Sequence, residues 1–136
     1  MRTKRFSILY ARLAPGSAFL SAVAARFGLW LNRGPHPFAQ VIRYTGEVSS
    51  FLPAAMYPFL AVAATVAETS LGIALVAGFR LRWTALASAI LLALFGTAMA
   101  ISGGIKSSLD ASVFSASAAA LLLSLLERIP LLLDQR

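Results

Sequence analysis

The chain has 136 residues, 59% of them hydrophobic and only 12% charged, with a mean hydropathy of +0.79. Soluble domains average roughly 45–50% apolar and about 25% charged, so this composition points to lipid and away from a water-soluble globule. The net charge of +7 would suit nucleic-acid binding in a soluble protein, but here the cations sit at the ends of apolar runs, where they anchor and orient membrane helices, and no nucleic-acid partner is expected.

The first apolar run, Phe6 to Trp30, follows the basic cluster Arg2, Lys4, Arg5 and carries Arg12, Pro15 and Arg26. A cleavable signal peptide is the alternative, with Ala22-Val23-Ala24 resembling a small-residue cleavage site. Arg12 and Pro15 interrupt the apolar core that such a peptide requires, so the run reads as the first membrane helix. Asn32 to Pro37 has loop chemistry, and His36, between two prolines, reads as a solvated loop residue. Phe38 to Leu52 mixes Phe38, Val41, Ile42 and Val48 with Arg43 and Glu47, an amphipathic segment that can lie at a membrane surface or cap a bundle.

The second span runs from about Ala54 to Gly78, with Glu68 its single charge. The basic aromatic turn Phe79-Arg80-Leu81-Arg82-Trp83 leads into the third span, Trp83 to Ser102. A connector with Lys106 and Asp110 precedes the fourth, Ala111 to Leu126. Each run far exceeds the 4–8 residues of a strand. The expected fold is therefore all-α, a polytopic four-transmembrane-helix bundle forming a single domain. With the N-terminus inside, the inner side holds seven Lys and Arg and the outer side three, which places both termini in the cytoplasm of a cell-membrane protein. Small residues recur every four positions at Ala85, Ala89, Ala93, Thr97 and at Ala111, Ser115, Ala119, a pattern that permits close helix approach in lipid.

Two absences narrow the chemistry. Without cysteine there are no disulfides, no thiol exchange and no cysteine metal ligands. One histidine cannot supply both axial ligands of a haem within one subunit. No metal site is expected.

The informative residue is Glu68. A carboxylate deep in an apolar span costs at least ~2.5 kcal/mol on insertion scales and must be neutralised, paired or hydrated. Arg12, Gly16, Phe19, Val23 and Arg26 fall on one helical face, with the two arginines ~21 Å apart by helical rise. Counting depth from the run ends makes Arg12 the expected partner of Glu68, reaching across a depth difference that its long side chain shortens. Arg26 is expected nearer the outer edge, where it can snorkel. An Arg12–Glu68 pair has two readings: an ion pair that fixes helix register, or a proton-linked or anion-binding site. Lys106 and Asp110, four apart, are secondary candidates, with Asp110 also placed to cap the fourth span.

Two motifs resemble the DoxX-like family of small four-helix membrane proteins. One is Arg12-x3-Gly16-x2-Phe19-x6-Arg26, where the family usually has Arg, Gly, an aromatic and Lys. The other is Glu68-x3-Gly72-x2-Leu75-x2-Gly78-x3-Arg82. Arg26 replaces the usual Lys, and Val23 stands where many members have Gly. The resemblance covers nearly the whole chain in span count and loop order. It implies a non-catalytic membrane subunit or scaffold linked to quinone or redox metabolism, not an enzyme on its own. It also implies that any electron transfer would need a quinone or a redox-enzyme partner's cofactor, with nothing covalently bound. The residues themselves leave a small transporter or ligand-binding protein for an anion, a proton or a lipid head group as the alternative. Membrane lipid is the expected surround, and self-association is left open.

Overall fold

Glycines punctuate this chain more than prolines do. In the computed structural model, which describes residues 2–29 and 37–126, the first helix, α1, runs Arg2–Arg26 straight through Pro15. It stops at Gly28, whose φ of +77° admits no side chain without strain. The Gly28 N–H donates to the Ala25 carbonyl (3.1 Å) and the Leu29 N–H to the Ala24 carbonyl (3.1 Å), the paired bonds that close a helix C-terminus on glycine. The same device ends α3 (Tyr57–Ala77) at Gly78, φ +75°, with Gly78 N–H donating to Leu75 O and Phe79 N–H to Ala74 O.

The remaining elements are α2 (Pro37–Val48), a single 3-10 turn at Ala54–Met56 leading into α3, α4 (Leu81–Gly103), the short α5 (Ile105–Asp110) and α6 (Val113–Leu126). No strand occurs among the described residues. Three segments, Arg2–Arg26, Ala54–Ala77 and Leu81–Gly103, are long and apolar enough to cross a membrane. The fourth expected span is apolar but covers 14 described residues. Trp30, His36 and the residues after Leu126 lie outside the described residues.

Two antiparallel pairs build the bundle. In the first, α1 lies along α3: Gly16 faces Gly72, Leu75 and Val76, and Arg12 lies over Gly78. In the second, α4 lies along α6, with Gly96 facing the ring of Phe114 and the Ser117 hydroxyl donating to the Ala89 carbonyl (2.7 Å). Phe19, Leu75, Leu81, Ala85 and Leu123 form the core where the pairs meet. Much of the small-residue expectation needs correcting. Of the α4 series, Ala85 and Ala89 are buried, Ala93 is half-buried and Thr97 is exposed, whereas Ala111, Ser115 and Ala119 all face outward, and α6 packs through Ser117, Ala120, Leu123 and Ser124. In so small-residue-rich a helix several faces satisfy the spacing, and hydrogen bonding by Ser117 selects one.

The amphipathic α2 caps the bundle, packing on both α3 and α4. Phe38 at its start stacks on Phe27 just after α1 (ring centroids 6.1 Å apart). Near its end Gly46 abuts the ring of Tyr57, and the Ser50 N–H donates to the Ser102 hydroxyl (3.2 Å).

Candidate functional site

Position along the helices decides what Glu68 meets. Residues of α1 and α3 that touch have numbers that rise on one helix as they fall on the other: Arg12 with Gly78, Gly16 with Gly72, Arg26 with Thr65. Glu68 therefore lies beside the C-terminal end of α1. It is 4% exposed, and the Arg26 Nη1 stands 2.6 Å from its Oε2. Nη1 also donates to the Thr65 hydroxyl (3.0 Å), which in turn donates to the Ala61 carbonyl (2.7 Å). The Arg26–Glu68 contact is an ion pair by distance, but no N–H is aligned on Oε2 as a hydrogen bond.

The expected pairing of Arg12 with Glu68 is thus corrected to Arg26 with Glu68. The close approach of Gly16 to Gly72 sets the register, since a Cβ on Gly16 would lie 3.2 Å from the Gly72 carbonyl oxygen. In that register Arg12 is level with Gly78, ten residues or ~15 Å along α3 from Glu68. The Arg12 guanidinium covers the glycine at the α3 terminus, where a Cβ would come within 2.5 Å of Nη1. The negative end of the α3 dipole favours a cation there. Its Nε is buried without a hydrogen-bond partner. Arg26 does not snorkel away, although it is the last residue of α1.

Beside the ion pair opens a cavity of about 880 Å³. Thr65 lies midway along Ala54–Ala77, and α1 ends at that level, so α1 leaves the first half of α3 uncovered. The gap is walled by Leu60, Ala63, Ala64 and Ala67 of α3 and by Leu91, Leu94, Phe95 and Ala98 of α4, and roofed by Val41, Tyr44 and Thr45 of α2. Alanines on α3 leave the space, because α3 and α4, although joined by a short turn, touch far less than the partners within each antiparallel pair. Arg26 and Glu68 supply charge to an otherwise mostly apolar wall.

The secondary candidates lie elsewhere. Lys106 and Asp110 form an exposed ion pair of 2.5 Å along α5. Asp110 ends α5 rather than capping α6, and Ser112, at φ +55°, stands immediately before α6. Among the described residues no group of three or more His, Cys, Asp or Glu could hold a metal. The sequence reading missed Thr65 and the α2 residues that roof the cavity. A hydroxyl three positions before a lone carboxylate, on the same helical face, is the signal that marks Thr65. Compared with known proteins, the chain matches no family model, no curated protein and no solved structure.

Proposed function

We infer that this is a four-span cell-membrane protein with both termini in the cytoplasm, which holds an amphiphilic ligand in the cavity that ends on Arg26 and Glu68. It acts as a non-catalytic membrane subunit or scaffold. The observation that carries this reading is an ion pair between buried Glu68 and half-buried Arg26 on the wall of a cavity whose volume falls in the range of small-molecule sites, roughly 300–1,000 Å³. The positive charge of Arg26 is already matched by Glu68, so the wall is close to neutral overall. That favours an uncharged head with an apolar body over a free anion, which would find no surplus positive charge.

A quinone fits these terms and agrees with the resemblance to the DoxX-like family. Arg26 would donate to a carbonyl of the quinone, Glu68 would accept from a hydroxyl of the reduced quinol, and the alanine-rich wall of α3 would take the ring and the first part of the tail. Bound there, a quinone would supply the electron-carrying chemistry that the side chains lack. This chain's own residues orient the head and exclude water.

Lipid extraction of the purified protein followed by mass spectrometry tests this. Quinone should be retained by the wild type and lost from Ala64→Phe, which fills the cavity and leaves the ion pair intact. Retention of the same lipids by both would remove the cavity from the function. A reporter fused to the C-terminus should read cytoplasmic, and a periplasmic signal would refute the four-span topology.

A further inference from the structure

The charges of this protein divide cleanly. Three carboxylates lie among the described residues, and each holds one cation: Glu68 holds Arg26, Glu47 holds Arg43 and Asp110 holds Lys106. Six cations remain, Arg2, Lys4, Arg5, Arg12, Arg80 and Arg82. None has a carboxylate partner among the described residues, and all six fall at one end of the bundle.

The fold brings them there. Because α1 runs antiparallel to α3, its N-terminal turns meet the α3–α4 turn, with Arg12 on Gly78 and with Ile8 and Ala11 against the cluster that contains Leu81. By helical rise Arg5 stands ~10 Å and Arg2 ~15 Å beyond Arg12. Large rings share this end. Phe6, Tyr10, Phe79 and Trp83 are all exposed. The Arg82 guanidinium lies 4.9 Å from the centroid of Trp83, and that of Arg80 lies 5.7 Å from Phe79. Arg80 itself holds a left-handed backbone, φ 40° and ψ 50°, a conformation uncommon outside glycine.

We propose that this end binds the anionic headgroups of phospholipids, with Arg12, Arg80 and Arg82 taking phosphate oxygens and the Phe79 and Trp83 rings lying at the top of the acyl chains. Guanidinium groups match phosphate oxygens with paired, charge-assisted hydrogen bonds. Tryptophan prefers the membrane–water boundary, where its ring is in lipid and its N–H is wet. The neighbouring surface decides between lipid and a soluble polyanion. Ile73 and Val76 of α3 and Ile90 of α4 are exposed a few turns from the arginines, and a lipid satisfies both the cations and this apolar belt, which a nucleic acid or a free phosphate cannot. The site lies at the opposite end of α3 from the cavity and does not depend on what the cavity holds.

The two tryptophans, Trp30 and Trp83, make the test direct. In a Trp30→Phe background Trp83 is the only indole. The full chain is reconstituted in vesicles containing brominated phosphatidylglycerol or brominated phosphatidylcholine at equal mole fraction. Quenching of Trp83 should be at least about twofold stronger with the anionic lipid. The excess should shrink as salt rises from about 0.05 to about 0.5 M, because screening at the higher salt acts within a few ångströms, and Arg80→Gln/Arg82→Gln should abolish it. The exposed triple change Arg2→Gln/Lys4→Gln/Arg5→Gln provides a second reading that leaves the turn intact, and it should lower the excess. Equal quenching by the two lipids overturns the proposal, as does an excess that survives both sets of changes. Loss of the excess on adding inorganic phosphate at constant ionic strength also overturns it, by revealing a site for free anions.

Discussion

The two helix pairs are joined in opposite ways. Between α4 and α6 the seam is neutral: the Ser117 hydroxyl donates to Ala89 O and the Ser108 hydroxyl of neighbouring α5 to Gly96 O, around fully buried Ala85, Ser88 and Ala120. Every acceptor there is a helical carbonyl with a lone pair to spare, so each bond can be removed without stranding a charge. Between α1 and α3 the backbones touch at Gly16 and Gly72, and the seam ends on Arg26 and Glu68. There neither member of the pair is tolerable without the other. The neutral seam tolerates piecemeal change, whereas the charged seam is held jointly, and the cavity opens beside the charged one.

Breaking the ion pair should separate the two seams most sharply. Arg26→Met or Glu68→Leu alone leaves a buried charge uncompensated and should cost ~3–5 kcal/mol, whereas the double change should cost far less, because the desolvation penalty leaves with the charges. Thermal unfolding in detergent of both singles and the double gives the coupling directly. Arg12→Met, tested alongside, should not couple to Glu68→Leu. Strong coupling at Arg12 would refute the pairing of Arg26 with Glu68.

Next in size is close packing. Gly16→Ala and Gly72→Ala each push a methyl to 3.2 Å from a backbone carbonyl of the facing helix, which cannot yield as a side chain would, and each should cost ~1–3 kcal/mol. In the neutral seam Gly96→Ala meets only the edge of the Phe114 ring, which can rotate or shift, so its loss of melting temperature should be the smaller. Equal losses would show that both seams are equally rigid.

The smallest effect should come from Ser117→Ala. Hydrogen bonds between membrane helices average ~0.6 kcal/mol in double-mutant cycles, so the same detergent melt should shift little. A loss as large as that of Glu68→Leu would erase the distinction between the seams.

Much of this arrangement is legible in the amino-acid order, and what is missing depends on how the helices sit against one another. A lone carboxylate in an apolar run identifies Glu68, and helical spacing puts Arg12 and Arg26 on the same inward face with Gly16 and Phe19. Choosing between the two arginines requires the depth of α1 relative to α3. Apolar run ends are a poor ruler for that, because α1 begins well before the level of Gly78. Matching the glycines, Gly16 to Gly72, puts Arg26 within reach of Thr65 and Glu68. The cavity is harder to foresee. It arises from the sparse contact between α3 and α4 and from α2 packing over the gap, neither of which has a local signature beyond the amphipathic pattern of Phe38 to Leu52.

Chain order adds a consequence of the Arg26–Glu68 contact. Arg26 leaves the ribosome 42 residues ahead of Glu68, an interval of roughly 2–8 s at ~5–20 residues per second. Throughout that interval the guanidinium lacks the buried carboxylate that it holds in the folded chain, and its long side chain can keep to the watery boundary. The expected outcome is that the first span takes a provisional position and settles only when α3 arrives. In ribosome-bound chains stopped before Glu68, the end of α1 should react with water-soluble reagents, and in the finished chain the same atoms should be shielded.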